Sequence, residues 1–146
     1  MTVDATINTV QSVAVKQSRL MKLSLVLEAW ILLLRVDLIM KFRSPEFLRT
    51  RVKRQPVCIR GGFTAGTIEN LAHAMDIACV FYFRRVLCLQ CSSATTIHMR
   101  KHGWPARLVT GARTVLCDFH AWTEVEGIVV NDKPYMREIY RVWEVY

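Results

Sequence analysis

The sequence predicts an α+β domain in which helices pack on a small antiparallel sheet. Two observations carry this reading. Segments with helical spacing of apolar residues fill the chain up to about residue 102, and strand-like segments follow Pro105. Such segregation argues against a parallel doubly wound fold, whose strands would alternate with helices. The chain also has 146 residues, 52% of them hydrophobic, with only 6 Gly and 4 Pro. That is enough to bury one core, and it excludes a disordered tail or a collagenous chain. One domain over residues 1–146 is therefore expected, mainly helical over 1–80.

The elements follow in order. Ser18 to Phe42 reads as a helix so dense in apolar residues (Leu20, Leu23, Val26, Leu27, Trp30, Ile31, Leu34, Leu38) that it should be nearly enclosed. Its surplus apolar area also points to a partner interface. Lys22, Glu28, Arg35 and Asp37 interrupt the run, and several charges in one span argue against a membrane crossing. Ser44-Pro45 begins a new element. From Lys41 to Arg60, seven basic residues stand against the single acid Glu46. Gly61-Gly62 punctuates the chain before a helix from Thr64 to Val80, with Thr67 as a cap. Cys88 to His102 reads as another helix, because Arg100, Lys101 and His102 fill its last turn, Gly103 suits a left-handed cap and Pro105 forbids continuation. Strands are expected over Ala106 to Ala112, Asp118 to Val125 and Ile128 to Asp132, with Gly111 and Gly127 as turn residues.

Net charge is +8. The basic stretch suits an acidic peptide or partner, or a solvated surface, better than nucleic acid, since it interleaves few aromatics beyond Phe42 and Phe47. Five cysteines are an odd count, and the N-terminus lacks the basic-then-apolar pattern of a secretory signal, which together place reduced thiols in a cytoplasm.

Several constellations could carry chemistry. Cys88-x-x-Cys91 with His98 and His102 has a zinc-like spacing, but Cys88 and His98 on one helix lie roughly 15 Å apart, too far to share one ion. A redox pair at Cys88 and Cys91 would need a preceding strand, which is missing. Residues 61–67 (GGFTAGT) mimic a phosphate loop, yet Thr67 stands where a lysine belongs. No metal and no cofactor are expected. The favoured set is Cys88, His120 and Asp132, on three successive elements. A cysteine hydrolase needs a thiolate, an imidazole to hold the proton and an acid to orient that imidazole. At a helix N-terminus, the macrodipole and unpaired N–H groups favour a thiolate and an oxyanion alike. For the hairpin, a three-residue loop Val125-Glu126-Gly127 would oppose 124 to 128, 122 to 130 and 120 to 132. Asp132 then lies across from His120, with Trp122 and Val130 as an apolar wall on that face.

The run Leu87-Cys88-Leu89-Gln90-Cys91-Ser92, then Gly103-Trp104-Pro105-Ala106, then His120-Ala121-Trp122-Thr123-Glu124 and Val130-Asn131-Asp132 resembles the transglutaminase-like family of lasso-peptide biosynthesis, whose motifs are C-L-x-x-S, G-x-P-A, H-A-W-x-E and a terminal Asp. Length and the leucine-rich first helix resemble its free-standing protease form. The resemblance implies a transglutaminase-like, papain-like catalytic core over 81–146. It implies a cysteine peptidase that trims the leader from a ribosomally made precursor, with Cys88 as nucleophile, His120 as general base and then acid, and Asp132 orienting His120. It further implies three partners: the lasso precursor as substrate, a separate leader-recognition protein, and the ATP-dependent lasso cyclase. This chain has Cys91 where relatives often carry Arg, so a substrate-positioning role of that Arg does not carry over. An acyltransferase using the same triad and a non-catalytic leader- or peptide-binding module are the alternative functions.

Overall fold

A computed structural model describes the backbone of residues 3–58, 67–113 and 117–146, with side chains from residue 19 onward. Along the chain come α1 (Val3–Phe42), α2 (Pro45–Arg54), α3 (Ile68–Val80), α4 (Cys88–Lys101), β1 (Ala106–Arg113), β2 (Asp118–Val125), β3 (Ile128–Val129), α5 (Met136–Ile139) and β4 (Arg141–Val145). The strands form one antiparallel sheet in the order β3-β2-β1-β4. The α+β expectation holds.

Helix α1 starts at Val3 rather than near Ser18, since residues 3–17 contain no Gly or Pro to stop it. It is not nearly enclosed. Leu25, Ala29, Leu32, Leu33 and Val36 form a buried stripe, whereas Leu20, Leu23, Leu27 and Ile31 form an exposed one. Apolar density predicted enclosure, but α1 packs on α3 and α4 from one side only. Among the described residues no helix is long and apolar enough to cross a membrane.

The caps behave as their chemistry dictates. Ser44 Oγ accepts from Phe47 N–H (3.2 Å) with Pro45 in the first turn, and Thr67 Oγ1 accepts from Asn70 N–H (3.3 Å). Helix α3 thus starts at Ile68, one residue after Thr67; residues 59–66, including the Gly61-Gly62 pair and the start expected at Thr64, lie outside the described residues. Helix α4 covers the expected span, and Gly103 takes the left-handed conformation after it (φ +88°).

Strands β1 and β2 pair along their whole length, from Ala106 opposite Val125 to Arg113 opposite Asp118. Successive β1 residues divide between the two faces. Leu108 joins the core that Leu33, Leu48, Val52, Met75 and Ala94 build with the helices, and Val109 joins Trp122 and Met136 on the other side. Met136 of α5 and Tyr140 pack on this second face, and β4 extends the sheet as the edge strand beside β1; neither α5 nor β4 was anticipated. Strand β3 has two residues rather than five.

Arg100, read from sequence as a last-turn cation, is a buried hub. Its Nε donates to the Ala106 carbonyl (2.7 Å), its Nη1 to the carbonyls of Val52 (2.5 Å) and Gln55 (3.1 Å), and its Nη2 to the Tyr146 main-chain oxygen (3.0 Å). Only a planar fork of fixed donors can serve this array; an ammonium cannot. Arg100→Lys is expected to lower stability by about 2–3 kcal/mol, read as a drop in the urea midpoint at unchanged m value. A midpoint equal to the parent's would refute the hub.

Candidate active site

Cys88 is the first residue of α4 and is exposed. The preceding Leu87 has no side chain able to cap the helix. Gln90 does so instead: its Oε1 accepts from Leu87 N–H (3.4 Å), and its Nε2 donates to the Leu33 carbonyl of α1 (3.4 Å). The first helical bond runs from Cys91 N–H to the Leu87 carbonyl (2.9 Å), so the N–H groups of Cys88, Leu89 and Gln90 have no acceptor within the helix.

His120 lies on β2 and its Nε2 is 2.6 Å from Asp132 Oδ2. Its ring stacks on Tyr140 (centroids 5.2 Å apart, 26° between planes) and on Trp122 (6.3 Å, 22°). Gly111 stands opposite His120 in β1. A Cβ there would come within 2.9 Å of both the Trp122 ring and Tyr140, so glycine is required by this close approach. Cys88 and His120 line one cleft of about 420 Å³, with Arg49 of α2, Thr110 of β1, Phe119 of β2 and Trp143 of β4 around them. No hydrogen bond joins the two. The three residues singled out from sequence are thus brought together, with Asp132 against His120 and Cys88 in the same cleft.

The route by which Asp132 arrives differs from the expected one. Val125 pairs with Ile128 and Glu124 with Val129, not 124 with 128. Glu126 (φ +52°) and Gly127 (φ +83°) form a two-residue turn with both residues left-handed. The longer loop was expected because only its parity sets Asp132 across from His120; the turn is the two-residue one all the same, although glutamate seldom adopts that conformation. Continued, this ladder would face Asp132 toward Ala121. Its last main-chain bond runs from Val130 N–H to the Thr123 carbonyl (3.0 Å), and the chain bends through 130–132. Asn131 holds the bend: its Oδ1 accepts from Thr123 N–H (2.6 Å) and its Nδ2 donates to Ser92 Oγ (3.0 Å). The apolar wall changes accordingly. Val129 packs near Trp122, while Val130 turns to the cluster around Leu71, Met99 and Val125.

Asn131 and Glu124 are site residues the sequence reading did not single out. Glu124 is two residues past Trp122, hence on the same face, and its carboxylate accepts from Trp122 Nε1 (2.8 Å) and from Arg137 Nε and Nη2 (2.7 and 2.6 Å). Burial acts to raise its pKa, but the Arg137 and Trp122 bonds outweigh this and hold the carboxyl below the usual range. The Trp-x-Glu spacing was the available signal. Cys91, by contrast, packs under the helix with its Sγ 3.7 Å from that of Cys79. Helix α4 is unbroken, so Cys88 and Cys91 stay at one end and His98 and His102 at the other.

The transglutaminase-like superfamily model matches residues 30–145. No curated protein and no solved structure gives a significant match.

Two measurements check the supporting network. Asn131→Ala leaves the Thr123 N–H unpaired and is expected to cost about 1–3 kcal/mol, with the His120 ring resonances displaced because the Asp132 bend relaxes. Glu124→Gln is expected to cost about 1–3 kcal/mol near pH 7. Because the folded-state pKa is depressed, this contribution is full above the ordinary carboxylate range and is lost as pH falls below it. The gap between parent and variant should therefore close in acid; a gap independent of pH would exclude the carboxylate as its source.

Proposed function

Because the chain belongs to the transglutaminase-like superfamily, we propose that it is a cysteine peptidase whose triad is Cys88, His120 and Asp132, and that it removes the leader from a ribosomally made lasso-peptide precursor before a separate ATP-dependent cyclase closes the ring. The observation that carries this reading is the 2.6 Å contact of His120 with Asp132 in the cleft that holds Cys88 at the head of α4.

The chemistry follows from the geometry. With Nε2 engaged by Asp132, Nδ1 is the nitrogen left to exchange a proton with the Cys88 thiol. The thiolate attacks the carbonyl carbon of the leader–core bond. The oxyanion takes the Cys88 N–H and a second donor in the cleft, and His120 gives its proton to the departing core amine. Water, deprotonated by His120, then resolves the leader thioester and frees the thiol. Gln90 is not that second donor, since its buried amide points to the Leu33 carbonyl of α1 and does not line the cleft.

The exposed apolar stripe of α1 and the basic α2 support docking of a separate leader-recognition protein and an acidic leader; Arg49 of α2 reaches the cleft itself.

In a cleavage assay with precursor and leader-recognition protein, Cys88→Ala and His120→Ala should each lower the rate at least about a thousandfold, and Asp132→Asn about a hundredfold or more. Cys91→Ala should stay active. An active Cys88→Ala would reject the nucleophile. Omitting the partner should slow cleavage, and raised salt should weaken its stimulation if α2 takes part in docking. An added amine that captures the leader acyl group faster than water does would assign the site to acyl transfer instead of hydrolysis.

A further inference from the structure

The far end of α4 gathers a second set of donor groups, remote from the cleft. His98 and His102 are four residues apart and so share a helix face, and Glu28 of α1 meets that face. His98 Nε2 lies 3.6 Å and His102 Nε2 2.9 Å from the same Glu28 oxygen, Oε2. One donor atom from each of the three residues falls within 4.8 Å of the others. A tetrahedral ion with bonds of about 2.0–2.2 Å sets its donors roughly 3.3 Å apart, so the three donor atoms need draw together only modestly to hold one.

The independent observation is His98 itself. It is fully buried, and neither of its ring nitrogens makes a hydrogen bond, an expensive condition for an imidazole. Glu28 divides its two oxygens: Lys101 contacts Oε1 and both imidazoles face Oε2. One carboxylate oxygen and two imidazoles therefore converge on one point, while the partial exposure of Glu28 and His102 leaves a way in.

We propose that Glu28, His98 and His102 form a site for a divalent transition metal of the Zn²⁺ class, clamping α1 to α4 at the end opposite Cys88. Two imidazoles and a carboxylate are the donor set such an ion favours, and water completes its fourth position. The ion touches no reacting group; its effect is on the attachment of the helix that carries the nucleophile. The Lys101 ammonium competes with it for Glu28 and sets a limit on affinity.

The test uses the full chain, titrated with Co²⁺ as a spectroscopic probe and then with Zn²⁺. The expected result is one equivalent of Co²⁺ bound with a tetrahedral visible spectrum and no thiolate charge-transfer band, and a thermal midpoint raised by roughly 5–10 °C at a hundredfold excess of Zn²⁺ over Kd. Glu28→Gln and His102→Gln, each with parent-like circular dichroism, should weaken binding at least tenfold. Lys101→Ala should bind more tightly than the parent. The double variant Cys79→Ala with Cys91→Ala should bind as the parent does. A thiolate band, binding lost in the double cysteine variant, unaltered binding in Glu28→Gln and His102→Gln, or no binding below millimolar metal would each overturn the site. His98→Gln is left aside as decisive because its burial confounds folding with binding.

Discussion

One buried guanidinium holds together the parts from which the cleft is assembled. Arg100 donates to main-chain oxygens of α2, of the loop after α2, of the start of β1 and of the residue that follows β4. Those are the elements that bring Arg49, Thr110 and Trp143 to the cleft, and Arg100 is carried by the helix that begins with Cys88. Main-chain oxygens solvate the charge, at the cost of fixing every chain segment that provides one.

At the other end of α4 the fold solves a different problem. In the proposed reaction the thiol at the helix head needs unpaired N–H groups near it, yet an unsatisfied helix end is unstable. Gln90 reconciles the two by reaching back to Leu87 and across to α1, while the N–H groups of Cys88 and Leu89, two residues that line the cleft, keep no acceptor within the helix. The histidine is supported from beneath by Trp122 and Tyr140, and Trp122 by Glu124 and Arg137 in turn. Each layer fixes the rotamer of the one above it, which is how a site is kept to a small range of geometries.

Much of this was legible in the sequence because the signals are local. The end of α4 is written in Arg100 to Pro105, the α2 start in Ser44-Pro45, and the end of β2 in Gly127; Gly111, by contrast, was expected in a turn and lies inside β1, where the close approach of Trp122 and Tyr140 requires it. What was not legible depends on contacts between distant residues or on a conformation against type. Glu126 in a left-handed turn reversed the expected hairpin parity, and a side-chain amide at Asn131 ended the ladder where pattern alone would have continued it. The two departures compensate, so His120 and Asp132 meet although the argument that paired them was incorrect. Apolar density likewise overstated the enclosure of α1, because composition does not say how many neighbours a helix has.

The buried face of α4 is unusually rich in hydroxyls. Ser92 Oγ donates to the Ala121 carbonyl (2.8 Å), Thr123 Oγ1 donates to the Ser92 carbonyl (2.9 Å), and Thr96 and Thr123 hydroxyls lie 3.2 Å apart. A helix seated on aliphatic side chains can roll with little loss, since dispersion has no direction. Hydrogen bonds do have one. These pairs act as detents on the rotation of α4 about its own axis, and a slip of one residue would swing Cys88 by about 100°. The hydroxyls thus set the angular phase at which Cys88 meets the cleft, a property that a greasier and equally stable interface would leave undetermined.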